Sequence, residues 1–117
     1  MDPTRWRGRE LVFWGWVSAG FPSPAQGYED EPLDLNALLI QRPAATFFYR
    51  VRGDHLRHEG IRDGAILVID RSLTPRAESW VLYDHDGERR IGRMPGLIKA
   101  GESIDCWGVI TAVVTRF

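Results

Sequence analysis

VRGDHLRHEGIRDGAILVID, residues 51–70, decides the fold. Its last part, carried on through AILVIDRS at 65–72, is a near-continuous apolar run without polar alternation. A run of that length reads as a strand buried on both faces. Just upstream, TFFYRVRG at 46–53 alternates and is rich in aromatics, the pattern of a second strand. Between the two lie Gly53, Gly60 and Asp63-Gly64, residues that make turns at little steric cost. The segment is therefore two buried strands joined by a glycine-punctuated loop, and His55 sits in that loop.

Working outward, SWVLYDHDGERRIGRM at 79–94 reads as a hairpin with Asp86-Gly87 at its turn. IDCWGVITAVVTRF at 104–117 is either a strand pair or one long strand bent around Gly108. From Arg93-Met94-Pro95-Gly96 the chain is expected to run almost directly into these last strands. LDLNALLIQRP at 33–43 is a short helix candidate that starts at Pro32 or Asp34 and is stopped by Pro43. Leu35, Leu38 and Leu39 supply its apolar stripe. GFPSPAQGYEDEP at 20–32 holds three prolines and two glycines, so neither helix nor strand is expected to run through it. Residues 1–19 read as an arm, with LVFWGWV at 11–17 as a candidate short strand. The expectation is a mostly β domain over 33–117 with one short helix, a linker over 20–32 and an extended arm over 1–19.

Bulk composition narrows the function. At 117 residues the chain fits one domain able to bury a core. A net charge of −1 gives no bulk attraction for duplex DNA. Cys106 is the sole cysteine, which excludes an internal disulfide and suits a reducing, cytoplasmic setting. No apolar run reaches membrane-span length. Arg5, Arg7 and Arg9 precede an apolar stretch, but Glu10 interrupts it and the tryptophans suit an export signal poorly. Those arginines with Trp6, Trp14 and Trp16 could stack on single-stranded bases, or equally fold over the chain's own domain or a partner. Tyr28-Glu29-Asp30-Glu31 reads as a solvated acidic loop.

GFPSPAQGYEDEPLDLNALLIQRPAATFFYRVRGD at 20–54, GIRDGAILVIDRSLTP at 60–75, DGE at 86–88 and DCWGVI at 105–110 occur together and in order. In this combination the chain resembles the UmuD branch of the LexA/UmuD group of self-cleaving serine peptidases, from about Gly20 to Phe117. The resemblance implies a compact β fold, a homodimer and a Ser–Lys dyad. It implies cutting of an N-terminal arm at a small-residue–Gly bond, triggered by the RecA–single-stranded DNA filament after DNA damage. It also implies a UmuC-type polymerase as partner in translesion synthesis. No cofactor or metal follows from it. LexA's DNA-reading helix-turn-helix has no counterpart, because the arm is too short for one.

Three departures matter. The family's Gly-Asp-Ser-Met reads Gly53-Asp54-His55-Leu56, and the lysine position falls on Gly92, with Arg93 beside it. The dyad needs a hydroxyl that attacks and an amine that takes its proton. Glycine supplies no base, and arginine keeps its proton at working pH. Between DGE and Cys106 the chain is shorter by about a strand and its loop, which leaves a sheet edge to be covered and puts the dimer surface in question. The cleavage junction, by contrast, persists as Ala19-Gly20 before Phe21-Pro22-Ser23-Pro24. As a new base, His55 lacks a fitting nucleophile among Ser18, Ser23, Ser72, Ser79 and Ser103. As a metal site, His55, His58 and Glu59 have only His85 and Cys106 to complete a shell.

The expectation is thus a UmuD-like pseudo-peptidase that works by binding. Two alternatives stand beside it: a self-cleaving serine peptidase with an unrecognised site, and a dominant-negative partner that pairs with an active UmuD.

Overall fold

β-Branched and aliphatic side chains in succession make Ile66–Asp70 a strand, and the computed structural model buries it on both faces. The structure describes residues 12–13, 17–20, 31–99 and 105–117. Most of the arm, including Trp6, Trp14 and Trp16, lies outside the described residues, as do 21–30 of the linker with Tyr28, Glu29 and Asp30. The chain divides into two compact units, residues 1–38 and 39–117.

In the first unit β1 (Val12–Phe13) pairs antiparallel with β2 (Glu31–Pro32). Extended pairing therefore does reach into the 20–32 segment, at its last two residues, where a proline is tolerated because a two-stranded ladder is all edge. Helix α1 (Leu35–Leu39) is shorter than the 33–43 expectation. The Asp34 carboxylate caps it, accepting from the backbone N–H groups of Asn36 (3.0 Å) and Ala37 (3.3 Å). Its apolar stripe is not buried: Leu35 and Leu38 are more than half exposed. Pro43 opens a 3-10 turn over Pro43–Ala45 rather than simply stopping the helix.

The second unit is a five-stranded antiparallel sheet of β3 (Thr46–Arg50), β4 (Ile66–Asp70), β5 (Trp80–His85), β6 (Glu88–Arg93) and β7 (Asp105–Val114), in the order β3-β4-β7-β5-β6. The mostly β class is as expected. The hairpin β5–β6 turns at Asp86 (φ 50°) and Gly87 (φ 77°), both left-handed, as a two-residue hairpin turn requires. β7 is one bent strand rather than a pair. Leu82 faces Gly108 and Tyr83 faces Cys106, so Trp107 is an inserted residue on that side. A Cβ at Gly108 would stand 2.5 Å from Ile69 Cγ2, which explains the glycine at the bend.

A second helix, α2 (Met94–Lys99), follows β6 directly, where a connection into the last strands was expected. Pro95-Gly96 looks like a helix breaker in sequence, yet proline fits the first turn of a helix, where its missing N–H has no partner to lose.

Two clusters make the core. On one face Val51, Ile61, Ala65, Leu67, Ile69, Leu82 and Ile110 pack together, with Tyr49, Ile91 and Trp107 against them. On the other, Leu97 of α2 covers Val81, Tyr83 and Val109. Among the described residues Asp70 is the buried charged side chain. Its carboxylate accepts from the Ser72 hydroxyl and N–H and from Arg42 (3.0 Å). Hydrogen bonding by Ser72, with Arg42 in support, holds it below the usual carboxylate range against the opposing effect of burial.

The two edge strands are tied across the first face. The Arg89 guanidinium on β6 donates to the Tyr49 hydroxyl on β3 (2.6 Å) and grips both Asp84 oxygens (3.0 and 3.1 Å). Arg71 and Arg89 also lie 4.2 and 4.6 Å from the Trp107 ring centre. A bond between the outermost strands means that the sheet curls, and the curl makes a cleft.

Candidate active-site cleft

The loop bearing His55 is pinned by two aspartates. Gly53 N–H donates to Asp63 Oδ1 (2.6 Å), and Asp63 N–H donates to Asp54 Oδ1 (3.0 Å). The turn continues through Arg57–Glu59 to Gly60, whose φ of 85° is the left-handed cap. Ile61 N–H then returns to the Leu56 carbonyl (3.1 Å), and Ile61 is buried. Val51 exchanges bonds with Ala65 and Gly64 (both 2.8 Å), so β3 stops at Arg50 rather than running to Gly53. Gly53 (φ 97°) and Gly64 (φ 84°) supply the left-handed turns. Every named residue of the loop except His55 and His58 is thus used by the backbone or the core.

His55 is exposed and lines a cleft of about 680 Å³. Leu56, Leu67, Leu82 and Ile91 give the cleft an apolar floor. Gly92 does not line it. It faces Val81 across the hairpin, and a Cβ there would point to the other side of the sheet, 3.0 Å from both Leu97 methyls and from Tyr83 Cε1. Leu97 therefore fills the space that a side chain at 92 would enter. Tyr83 touches both places: it packs beside Gly92 and also lines the cleft. Arg93 is paired with Glu78 (2.6 Å). Ala19 and Gly20 are exposed, and Gly20 N–H donates to the Ser18 hydroxyl (3.2 Å).

Leu97 and Tyr83 were not legible as site residues. Only the hairpin register carried a signal, since an Asp-Gly turn at 86–87 sets Tyr83 opposite Arg90 and Asp84 opposite Arg89. The Arg89 pairing lowers the Asp84 carboxyl and raises the guanidinium, in each case mainly through their mutual hydrogen bonds. No group of three or more His, Cys, Asp or Glu side chains suited to a metal ion occurs among the described residues. No helix among them is long and apolar enough to cross a membrane.

Residues 12–101 match the Peptidase S24-like family. The chain belongs to that family. Protein ImpA of Salmonella typhimurium is 38% identical over 113 residues, covering 84% of this chain and 78% of ImpA. Protein MucA of Escherichia coli is 38% identical over 112 residues, covering 81% and 77%. Protein SamA of Salmonella typhimurium is 46% identical over 76 residues, covering 65% and 54%. Within the S24 family the chain is UmuD-like, as the motifs implied.

Proposed function

We propose that this chain is a catalytically inactive, UmuD-like accessory protein of DNA-damage-induced translesion synthesis. It acts in the cytoplasm as a dimer, with itself or with an active UmuD, and it binds a UmuC-type polymerase and the RecA filament. Family membership supports the setting. One observation carries the inactivity: the position that the resemblance assigns to the lysine is a glycine whose side-chain direction is filled by Leu97. With histidine at the nucleophile position, no serine and no lysine is among the described residues that line the cleft, and a Ser–Lys mechanism requires both. The pinned loop remains because Gly53, Asp54, Asp63 and Gly64 hold two core strands together, with or without a nucleophile.

Co-purification tests the reading. Tagged full-length chain is expected to retain a UmuC-type polymerase from the same cell after DNA damage, and to do so unprocessed. Failure to retain the polymerase under conditions where an active UmuD does so would reject it. The exposed Ala19-Gly20 junction supports a subsidiary role as a substrate cut in trans by an active relative.

A further inference from the structure

We propose a binding surface for single-stranded nucleic acid, built from arginines and aromatic rings around Trp107 and continued along the wall of the cleft. It goes beyond the function proposed above, in which single-stranded DNA enters only within the RecA filament.

The first support is the stacking of flat groups. Arg71, just after β4, and Arg89, on β6, hold their guanidinium carbons 4.2 and 4.6 Å from the Trp107 ring centre. Phe47 and Tyr49 of β3 meet the same ring edge-on, with centres 5.3 and 5.5 Å away. The patch therefore crosses the sheet instead of following one strand, and it presents side chains rather than backbone N–H groups. Tyr49 and Arg89 also line the cleft, where Arg50, Arg52 and Arg90 join them, so patch and cleft wall share these two residues. Packing accounts for only part of this. Tyr49 and Trp107 lie against the core, but Phe47 on the same face is 42% exposed. A large ring left open to water beside stacked guanidiniums is a platform for another ring.

The second support is charge. Asp84 takes Arg89 and Glu88 takes Arg90. Arg50, Arg52 and Arg71 are exposed and have no ion pair among the described residues. Arg50 donates to the Gly64 carbonyl (3.2 Å) and Arg71 to the Trp107 carbonyl (2.8 Å). Asp54 and Asp63 of the His55 loop accept backbone N–H groups instead. The local excess is positive although the whole chain carries −1. Uncompensated guanidiniums beside open rings fit a polymer with one negative charge and one flat ring per unit. An acidic peptide would meet the charges and leave the rings without partners. A duplex keeps its base faces inside its own stack, whereas a single strand offers them.

Fluorescence anisotropy on the full chain tests this with a labelled oligothymidylate of about 12 nucleotides and an abasic strand of equal length. The oligothymidylate is expected to bind at least about tenfold more tightly than the abasic strand, and less tightly as salt is raised. A parallel oligouridylate arm tells a DNA source from an RNA source, and binding of either supports the assignment. Phe47→Leu is expected to weaken binding about tenfold. Phe48→Leu, on the opposite face of the same strand, is expected to leave it unchanged. The Arg52 side chain has no hydrogen bond or ion pair among the described residues, so Arg52→Gln leaves the fold intact. That variant is expected to weaken binding several-fold and to lower the slope of log affinity against log salt by about 0.7. No binding, equal binding of the abasic strand, or equal effects of Phe47→Leu and Phe48→Leu would each overturn the proposal. So would indifference to both Phe47→Leu and Arg52→Gln, which would move the site to the tryptophans and arginines of the arm. Polymerase retention by unprocessed chain is read separately, so a failure here leaves the proposed function standing.

Discussion

Replacing Gly92 by alanine puts one methyl group where Leu97 Cδ1, Leu97 Cδ2 and Tyr83 Cε1 would each stand 3.0 Å away. Two opposing effects set the outcome. Gly92 does not have a positive φ, so alanine fits the backbone and stiffens the unfolded chain, a gain of about 0.4–1 kcal/mol. Against it, overpacking a closed contact costs about 1–3 kcal/mol. Tyr83 and Leu97 are 5% and 8% exposed, so neither moves aside into solvent. The expected net effect is a destabilisation of about 1–2 kcal/mol. Leu97→Ala alone removes the wedge and costs about 2–5 kcal/mol. In the double variant the new methyl occupies vacated space, so the combined loss is expected to fall short of the sum by about 1–2 kcal/mol. Urea unfolding of the four proteins measures this, provided the m-value is unchanged. A Gly92→Ala protein more stable than its parent, or a cycle that adds without coupling, would refute the seating of Leu97 on Gly92. With it would go the physical reason for denying the cleft a base at that position.

Three further outcomes follow from the same structure. His55→Ser combined with Gly92→Lys is expected to leave the arm uncut, because the new lysine meets Leu97 before it reaches the cleft; intact mass reads the result. Gly108→Ala drives a Cβ to within 2.5 Å of the fully buried Ile69, with a loss of about 1–3 kcal/mol by chemical unfolding and an unchanged m-value. Asp70 titrates below the usual carboxylate range, first because of Ser72, so its stabilisation is complete above the unfolded value near 3.9 and disappears as pH falls through the folded value. Urea midpoints measured from pH 6 down to pH 2 are therefore expected to fall more steeply below pH 4 for the parent than for Asp70→Asn.

The parts legible in sequence are those where a local chemical rule leaves one solution. An Asp-Gly pair between alternating strands allows little but a two-residue hairpin, so β5 and β6 and their register could be read directly. Ile66 to Asp70 was legible because such a run has no polar face to present to water. The glycines around His55 announced a loop, though not that Asp54 and Asp63 would staple it. What escaped was settled by packing between distant residues. Pro95-Gly96 disguised α2, whose existence depends on Leu97 finding Val81, Tyr83 and Val109. The bulge at Trp107 reflects the fit of Gly108 on Ile69, thirty-nine positions away in the chain. Aligned motifs paired His55 with Gly92 as members of one site. Strand alternation separates them, since Ile91 faces the cleft and Gly92 faces Leu97. The Arg89–Tyr49 bond that curls the sheet joins its two outermost strands, and no local pattern carries it.

The central claim is that this S24-family chain keeps the cleft without the cleavage chemistry. Intact mass measures that most directly, on purified chain incubated at neutral and at alkaline pH with RecA, single-stranded DNA and nucleotide. A full-length mass in every tube is the expected result. Loss of residues 1–19 without any added peptidase would contradict the claim and would return His55, or a group outside the described residues, to catalysis.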